Sequence, residues 1–192
     1  MTDSPLPVQA LIVVDVQKAG VTGSRAVPAA GALLDRTAGL LEGARRAGAV
    51  VVHLQNDGAP GSDDEPYTPG WALHLPVEAG AGESVIRKTR DDGFAGTSLG
   101  AVLAEAGVES LAVCGVMSEM CVQATARTAL ELGYRVVLPH DAHATHDVPA
   151  VPGIADAVPA AVVSRVAAWA ISADADVTTP AADVRFTAPP GR

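Results

Sequence analysis

The chain contains several short, almost wholly apolar segments, each followed by a stretch with helical periodicity. Segments 9–16, 49–55 and 110–114 carry few polar residues, which is typical of parallel strands buried on both faces. Two of the helical stretches end at Gly48 and Gly133, as helices often do. Strands that alternate with helices favour a sheet covered on both sides. The sequence therefore predicts a three-layer α/β/α sandwich around a central, mostly parallel, six-stranded sheet.

The same signals predict the remaining elements. The further strands are 83–87, 135–138 and 175–178, and the helices are 29–47, 99–106, 121–132 and 154–171. Residues 56–82 are rich in Gly, Pro and Asp, so we expect a long loop that covers or builds a site. With 192 residues, the chain is predicted to form one domain over 1–180, followed by a frayed, Pro-rich tail over 181–192.

The composition narrows the classes of partner. A formal net charge of −9 argues against nucleic acid and against an anionic membrane, but it is compatible with a cationic or neutral small molecule. The two cysteines, the lack of a signal-peptide pattern and the lack of a membrane-length apolar run favour a reduced, cytoplasmic setting. Cys114 lies inside an apolar strand, so we interpret it as a core residue.

Three reactive side chains are predicted to meet at one edge of the sheet. Asp15 ends the first strand, Lys88 follows the third, and Cys121 comes shortly after the fourth. Because ligands of open parallel sheets bind beyond the carboxyl ends of the strands, this edge is the expected site. Cys121 is expected in the first turn of a helix, whose free N–H groups and dipole favour a thiolate.

These three groups are the ones that a hydrolase with a cysteine nucleophile requires. A carboxylate can take the proton of a thiol, and an ammonium can hold the resulting anion. Attack of sulfur on an amide or ester carbonyl gives a tetrahedral oxyanion, and backbone N–H groups of the turn at 116–121 are placed to receive it. Each residue has a plainer interpretation as well. Asp15 can pair at a strand end, Lys88 can belong to a solvated basic run, and Cys121 can be a small buried residue.

The residues resemble those of the isochorismatase-like cysteine hydrolases, a superfamily that includes nicotinamidases and N-carbamoylsarcosine amidohydrolases. The resemblance extends from Leu11 to about Ala168. Its motifs are LIVVDVQ at 11–17, VIRKTRDDGFAGTSL at 85–99 and VCGVMSEMCVQATARTALELGYRVVLPHDAHATHD at 113–147. The resemblance implies a catalytic triad of Asp15, Lys88 and Cys121. It also implies a cis peptide bond between Val116 and Met117, and an oxyanion hole formed by the N–H groups of Met117 and Cys121.

Four further residues are candidates for binding the substrate. Gln17 lies in the first motif, and Trp71 and Phe94 are scarce aromatic residues in a chain that is only 3% aromatic. Either aromatic side chain can line the pocket or belong to the core. Glu119 joins a set of acidic residues that either form an approach for a cationic substrate or merely solvate the surface; the others are Asp57, Asp63, Asp64 and Glu65.

Departures from the family pattern bear on metals and on the reaction. Nicotinamidases carry an Asp-x-His pair and a further His that hold a metal, whereas the matching region here contains only His53 and Asp57. The histidines at 140, 143 and 146 follow the strand predicted at 135–138, and Pro139 lies between that strand and the first of them. We therefore do not expect the three to share one face of a helix as metal ligands. We therefore expect no metal and no cofactor. Isochorismate-cleaving members lack the cysteine, so Cys121 favours carbonyl hydrolysis.

A smaller group within the superfamily shares further motifs with this chain. PGWALH at 69–74, DDGF at 91–94 and DAHATHD at 141–147 resemble amidohydrolases of the streptothricin hydrolase type, which open the lactam of a polycationic antibiotic and so give resistance. The expected activity is metal-independent hydrolysis of a small amide or lactam through a Cys121 thioester. The alternatives are an isochorismatase-type or nicotinamidase-like hydrolase of another metabolite, and a redox-sensing module without turnover. The family resemblance also implies a homo-oligomer, either a dimer or a tetramer.

Overall fold

A six-stranded sheet forms the centre of the computed structural model, which describes residues 6–78, 80 and 82–190. Its strands are β1 Ala10–Val14, β2 Val50–Asn56, β3 Glu83–Lys88, β4 Ser110–Val116, β5 Arg135–Val137 and β6 His143–Ala144. The strand order is β3-β2-β1-β4-β5, and β6 pairs with β4 as well. Every one of these ladders is parallel. The predicted parallel sheet is confirmed.

Helices cover both faces of the sheet and complete the three layers. They are α1 Lys18–Val21, α2 Ala30–Ala47, α3 Leu99–Glu105, α4 Gln123–Glu131 and α5 Ala160–Trp169. Alternate residues of β1 serve opposite faces, because side chains along a strand point to opposite sides. Ile12 packs with residues of α3, α4 and α5, whereas Leu11 and Val13 pack with α2. No helix among the described residues is long and apolar enough to cross a membrane.

The sixth strand differs from the one expected at 175–178. That segment makes only an isolated bridge, between Val137 and Asp176, because β5 is only three residues long and offers a short edge. Instead, β6 pairs with β4 at Gly115 and Val116, beyond the point where β5 has ended. The carboxyl end of β4 is therefore flanked by a strand on each side.

The last long helix begins later than the sequence predicts. Residues 154–158 were expected to be helical, but the structure has antiparallel bridges there, between Val148 and Val158 and between Val151 and Ala155. Pro159 disfavours helical geometry in the residue before it, and its own extended backbone makes it the N-cap of α5. The Asp147 carboxylate accepts the N–H of Ala160 at 2.7 Å and so caps the helix.

The C-terminal segment packs on the fold, in contrast to the frayed tail that was expected. Residues 181–183 form a 3₁₀ turn against α2. Phe186 pairs with Val8 in a parallel bridge, and the N–H of Thr187 donates to the Val8 carbonyl at 2.9 Å. Val184 and Phe186 contact the apolar cluster beneath α2, and burial of these side chains is what holds the segment down. Residues 191 and 192 of the predicted tail lie outside the described residues.

Gly115 allows the two central strands to approach each other where the reactive residues begin. A Cβ atom at this position would lie 2.0 Å from the carbonyl oxygen of Val14, which is a backbone atom that cannot rotate away. The φ angle of Gly115 is also +124°, a value that residues with a side chain rarely adopt. The close contact sets the spacing between the end of β1, just before Asp15, and the end of β4.

We predict that Gly115→Ala lowers the free energy of unfolding by about 3–5 kcal/mol, because the added methyl group forces β1 and β4 apart. Chemical denaturation measures the change. The matched control is Gly39→Ala in α2, where a Cβ would meet nothing within 4 Å. That change should stabilise the fold by about 0.5–1 kcal/mol. A Gly115→Ala variant as stable as the wild type would contradict the close-approach argument.

Candidate active site

Three strands bring Asp15, Lys88 and Cys121 into contact. Asp15 directly follows β1, Lys88 is the last residue of β3, and Cys121 lies in the turn after β4. The Lys88 ammonium is 2.7 Å from Asp15 Oδ2 and 3.3 Å from Cys121 Sγ. Its third contact is the carbonyl oxygen of Arg90, at 3.1 Å. An ammonium has three protons to donate, so Lys88 is fully engaged and its side chain is completely buried.

Asp15 is aimed at this point by an unusual backbone conformation. Its φ angle is +52°, in the left-handed region that Asp adopts more readily than most residues but that still costs about 1 kcal/mol or more. The turn is held by two backbone bonds: the N–H of Asp15 donates to Leu54 at 3.0 Å, and the N–H of Gln17 donates back to Asp15 at 2.7 Å. Strain at this position is consistent with a functional role for the carboxylate.

The electrostatics of Asp15 suit a proton acceptor. Burial raises the pKa of Asp15 above its ordinary value, while the neighbouring Lys88 ammonium opposes the shift. Asp15 Oδ2 is occupied by Lys88, whereas Oδ1 is buried and has no hydrogen-bond partner among the described residues. The same carboxylate interacts with the Cys121 thiol. Oδ1 is therefore the Asp15 oxygen that is free to accept a proton.

Burial favours the protonated thiol of Cys121, in contrast to the thiolate expected at a helix start. Burial, and then the negative charge of Asp15, raise the pKa of Cys121 to about 12, although Lys88 acts in the opposite direction. Cys121 also precedes the helix proper, because a π-helical turn over Ser118–Val122 comes before α4. For this sulfur to act as a nucleophile, its proton would have to leave as it attacks, and the Lys88 ammonium is in contact with the sulfur, where it can stabilise an anion.

The turn between β4 and α4 presents backbone donors beside the thiol. The peptide bond between Val116 and Met117 is cis, as the family resemblance implies. Met117 accepts hydrogen bonds at its carbonyl oxygen from the N–H groups of Met120 and Val122. Within the described part of the chain, the backbone N–H of Met117 donates to no other protein atom. It is available to a ligand, as a donor of an oxyanion hole must be, and Cys121 lies in the same turn.

Ser118 ties this turn to the rest of the fold. It is completely buried, and its hydroxyl lies 2.8 Å from His143 Nδ1 in β6 and 2.9 Å from Ser164 Oγ in α5. Burial lowers the pKa of His143 to about 4, so the imidazole is neutral near pH 7. The turn that carries Met117 and Cys121 is thus braced by a neutral hydrogen-bond network rather than by charges.

A cavity of about 440 Å³ opens above the three reactive residues. Its lining residues include Asp15, Gln17, Arg25, Asn56, Asp63, Asp64, Asp91, Met117, Met120, Cys121 and His146. Two of the acidic residues predicted to form an approach, Asp63 and Asp64, line this cavity. Glu65 instead accepts the N–H of Gly61 at 2.8 Å, and Asp57 pairs with Arg87.

Of the four residues predicted to bind the substrate, Gln17 lines the cavity and the other three do not. Gln17 lines the cavity, and its amide also holds the long loop: Nε2 donates to the carbonyls of Asn56 and Trp71 at 3.0 and 2.9 Å. Trp71 lies outside the cavity lining, where its Nε1–H donates to Asp57 at 2.9 Å and Arg87 stacks on its ring.

Phe94 and Glu119 also lie outside the cavity lining. Phe94 packs against the apolar core beneath α3 and α4 and stacks on Tyr134, with ring centroids 6.2 Å apart. Its role is that of a core residue, the second of the two interpretations that the sequence left open. Glu119 accepts a hydrogen bond at 3.0 Å from the Thr145 hydroxyl, which joins the turn between β4 and α4 to the segment after β6.

Three of the residues considered as metal ligands, His53, Asp57 and His143, have protein partners. His53 is buried, with Nε2 2.8 Å from Glu83, while Asp57 holds Arg87 and Trp71. Of the histidines at 140, 143 and 146, the second bonds Ser118 and the third lines the cavity. In the described ranges, no group of three or more His, Cys, Asp or Glu side chains is arranged to hold a metal ion.

Sequence reasoning missed several cavity residues. Asp91, Asn56 and Met120 line the cavity, although none was singled out as a candidate, and His146, considered only as a metal ligand, lines it as well. Asp91 is the most notable, since its Oδ1 lies 3.6 Å from Cys121 Sγ. The signal that could have identified it is its position three residues after Lys88, because a residue just beyond a strand's carboxyl end shares the edge where Lys88 lies.

Comparisons with known proteins agree with this geometry. The family model of the isochorismatase domain matches residues 9–166. A streptothricin hydrolase from Streptomyces noursei is 68% identical over 183 residues; the match covers 95% of this chain, which spans 66% of that relative's length.

Comparison with solved structures indicates the same family. An isochorismatase from Pseudomonas putida KT2440 superposes with a TM-score of 0.82 at 34% identity, covering 95% of this chain and 94% of that one. A cysteine hydrolase from Pseudomonas syringae pv. phaseolicola 1448A superposes with a TM-score of 0.81 at 27% identity, covering 95% and 96%. With the sheet topology and the cysteine turn described above, these matches establish that the chain belongs to the isochorismatase-like cysteine hydrolase superfamily.

Proposed function

We propose that this protein is a cysteine amidohydrolase that cleaves a small amide or lactam through a thioester on Cys121, without a metal. The observation that carries the proposal is the contact of one buried ammonium, Lys88, with both a carboxylate and a thiol at the base of a cavity. A structural cysteine has no need of a positioned base and a positioned cation, whereas a nucleophilic cysteine needs both.

Acylation begins with transfer of the thiol proton to Asp15 Oδ1, the carboxylate oxygen left free by Lys88. The sulfur attacks the carbonyl carbon, and the carbonyl oxygen becomes an oxyanion. The N–H groups of Met117 and Cys121 receive that charge. Each such donor is typically worth about 3–4 kcal/mol of transition-state stabilisation.

Collapse of the tetrahedral intermediate breaks the carbon–nitrogen bond, and the proton held by Asp15 passes to the leaving nitrogen. In a linear amide the amine departs; in a lactam it stays attached as the ring opens. Asp15 then takes a proton from water as the water attacks the thioester. When the carbon–sulfur bond breaks, Asp15 returns that proton to the sulfur, so the thiol of Cys121 is restored and one water has been added to the substrate. Asp15 acts in turn as base, acid, base and acid, which suits a carboxylate whose pKa burial has raised.

We propose a streptothricin-type lactam as the substrate. Support comes from the 68% identity to the Streptomyces noursei streptothricin hydrolase and from a cavity wall that contains Asp63, Asp64 and Asp91, which suits a polycationic antibiotic. Opening the lactam would give resistance. A reduced, cytoplasmic compartment fits this chemistry, since both cysteines are free and the nucleophile must stay unoxidised.

Incubation of the purified protein with streptothricin in reducing buffer containing a chelator tests the proposal. Mass spectrometry should find product with the mass of one added water. Cys121→Ala should lower the rate by about 10⁴-fold or more, because the nucleophile is lost. The matched control is Cys114→Ala, which removes the other, wholly buried thiol and should retain activity. Hydrolysis that persists in Cys121→Ala would disprove the thioester mechanism.

Asp15→Asn should reduce turnover by about 10⁴-fold while the fold is retained, since the amide has nearly the same shape but cannot accept the thiol proton. Circular dichroism and thermal unfolding check the fold, and steady-state kinetics check turnover. Full activity of this variant would exclude Asp15 as the base.

The pH dependence of kcat/KM should reflect the raised pKa of the buried Asp15. Its raised pKa means that kcat/KM falls on the acid side at a higher pH than the value of about 3.9 for a solvent-exposed aspartate, because protonated Asp15 cannot act as base. Cys121, with a pKa of about 12, should cause no loss at neutral pH. Measuring kcat/KM between about pH 4 and 9 tests this. An acid limb no higher than that of an exposed aspartate would contradict the assignment.

We also propose that the protein is a homo-oligomer that buries the outer face of α5. Val162, Val166 and Trp169 are exposed by 48%, 55% and 65%, and their spacing places them on one side of the helix. An exposed apolar stripe of this kind is typical of an interface.

Val166→Glu should therefore shift the protein toward the monomer in size-exclusion chromatography with light scattering, since it places a charge in the interface. The matched control, Val85→Glu, changes an exposed valine on β3, at the opposite end of the strand order, and should leave the oligomer intact. Equal masses for wild type and Val166→Glu would refute the α5 interface.

A further inference from the structure

Asp91 places an unneutralised carboxylate beside the nucleophile. Its Oδ1 lies 3.6 Å from Cys121 Sγ, it lines the cavity, and its side chain is exposed to solvent. Asp91 follows β3 by three residues, on the same chain segment as Lys88. The thiol therefore has one carboxylate below it, Asp15, and a second one facing the space that a substrate would enter.

The other carboxylates of the cavity are engaged by protein groups. Asp15 is paired with Lys88, and Asp63 is paired with Arg25. Asp64 accepts hydrogen bonds from Asn56 Nδ2 at 2.7 Å and from the Ser62 hydroxyl at 2.8 Å. Over the described residues, Asp91 has neither an ion pair nor a backbone donor; the thiol is its single hydrogen-bond contact.

The neighbouring Asp92, by contrast, stabilises the conformation of this loop. Its Oδ1 accepts the N–H of Phe94 at 2.9 Å, and the N–H of Gly93 donates to the Thr125 hydroxyl at 2.9 Å. These bonds fix the turn after Lys88 without any help from Asp91. An exposed carboxylate that stabilises no turn and pairs with no cation is free to bind a ligand.

We propose that Asp91 is a specificity residue that binds a cationic group of the substrate immediately beside the scissile carbonyl. Resting on the proposed function, this narrows the substrate class to amides or lactams with an ammonium, amidinium or guanidinium group within a few bonds of the carbonyl carbon. The reason is geometric. Sulfur must bond to that carbon, and Asp91 lies against the sulfur, so the cation that Asp91 binds through a charge-assisted hydrogen bond must lie close to the same carbon.

Charged thiol reagents test this without a substrate. In a Cys114→Ala background, Cys121 is the single thiol of the chain. It is treated with neutral methyl methanethiosulfonate and with the cationic trimethylammonium-ethyl methanethiosulfonate. In each case the sulfur displaces methanesulfinate and forms a mixed disulfide. The quantity compared is the ratio of the cationic to the neutral rate, because a change in thiolate fraction cancels in that ratio.

Asp91→Asn should lower this ratio by about tenfold, given the attraction of opposite charges at about 4–5 Å in a partly screened site. Raising the salt concentration to about 1 M should shrink the difference, because the Debye length falls to about 3 Å. The matched control is Asp92→Asn, which removes the same charge from the adjacent residue yet keeps an oxygen that can accept the Phe94 N–H. It should change the ratio by less than about twofold.

An unchanged ratio in Asp91→Asn, or an equal change in Asp92→Asn, would overturn the proposal. A second readout uses streptothricin itself: loss of cation binding should raise KM by about tenfold with little change in kcat. A fall in kcat with KM unchanged would instead make Asp91 part of the proton transfers and refute the recognition role. If the reagents discriminate but streptothricin is not hydrolysed, the proposed substrate fails and the cation site stands.

Discussion

The buried ion pair between Lys88 and Asp15 is the interaction on which the rest of the site depends. Removing an ammonium and a carboxylate from water costs several kcal/mol for each ion, and the pair offsets that cost only with close geometry and further hydrogen bonds. Lys88 meets this condition, with Asp15 at 2.7 Å and two more acceptors, Cys121 and the Arg90 carbonyl. Neither ion would be stable at this depth without the other. The contacts that position the reactive groups are therefore also the contacts that stabilise this part of the fold.

The sheet supplies the precision that this pair requires. Lys88 lies two strands away from Asp15, and the parallel register sets how far each strand extends toward the edge. Gly115 brings β1 and β4 close enough for the thiol to reach the pair, and Ser118 braces the turn through β6 and α5. A site held by several elements at once is fixed more accurately than one on a free loop.

The sequence predicted those features that follow from periodicity and from strand ends. It placed Asp15, Lys88 and Cys121 at one edge, because parallel strands share a direction. It could not distinguish Phe94 in the core from Phe94 in a pocket, since a single aromatic side chain has no periodicity. The strand expected at 175–178 failed because pairing depends on which edge is open, and β5 was too short to offer one. Asp91 was missed because loop geometry, unlike strand direction, has no simple sequence signal.

The protonation of the site follows from how its charges are distributed. Asp15 is neutralised by Lys88 and buried, so it can exchange a proton with sulfur without bringing a new net charge into the interior. A resting thiol with a pKa of about 12 is also protected from oxidation, since the thiolate is the oxidisable form. Asp91, exposed and unpaired, does not share in that neutralisation. A cationic group of the substrate, held by Asp91 as proposed above, would neutralise this second carboxylate. Recognition of the substrate's charge and proton exchange with the sulfur would then belong to two different carboxylates beside one sulfur atom, Asp91 and Asp15.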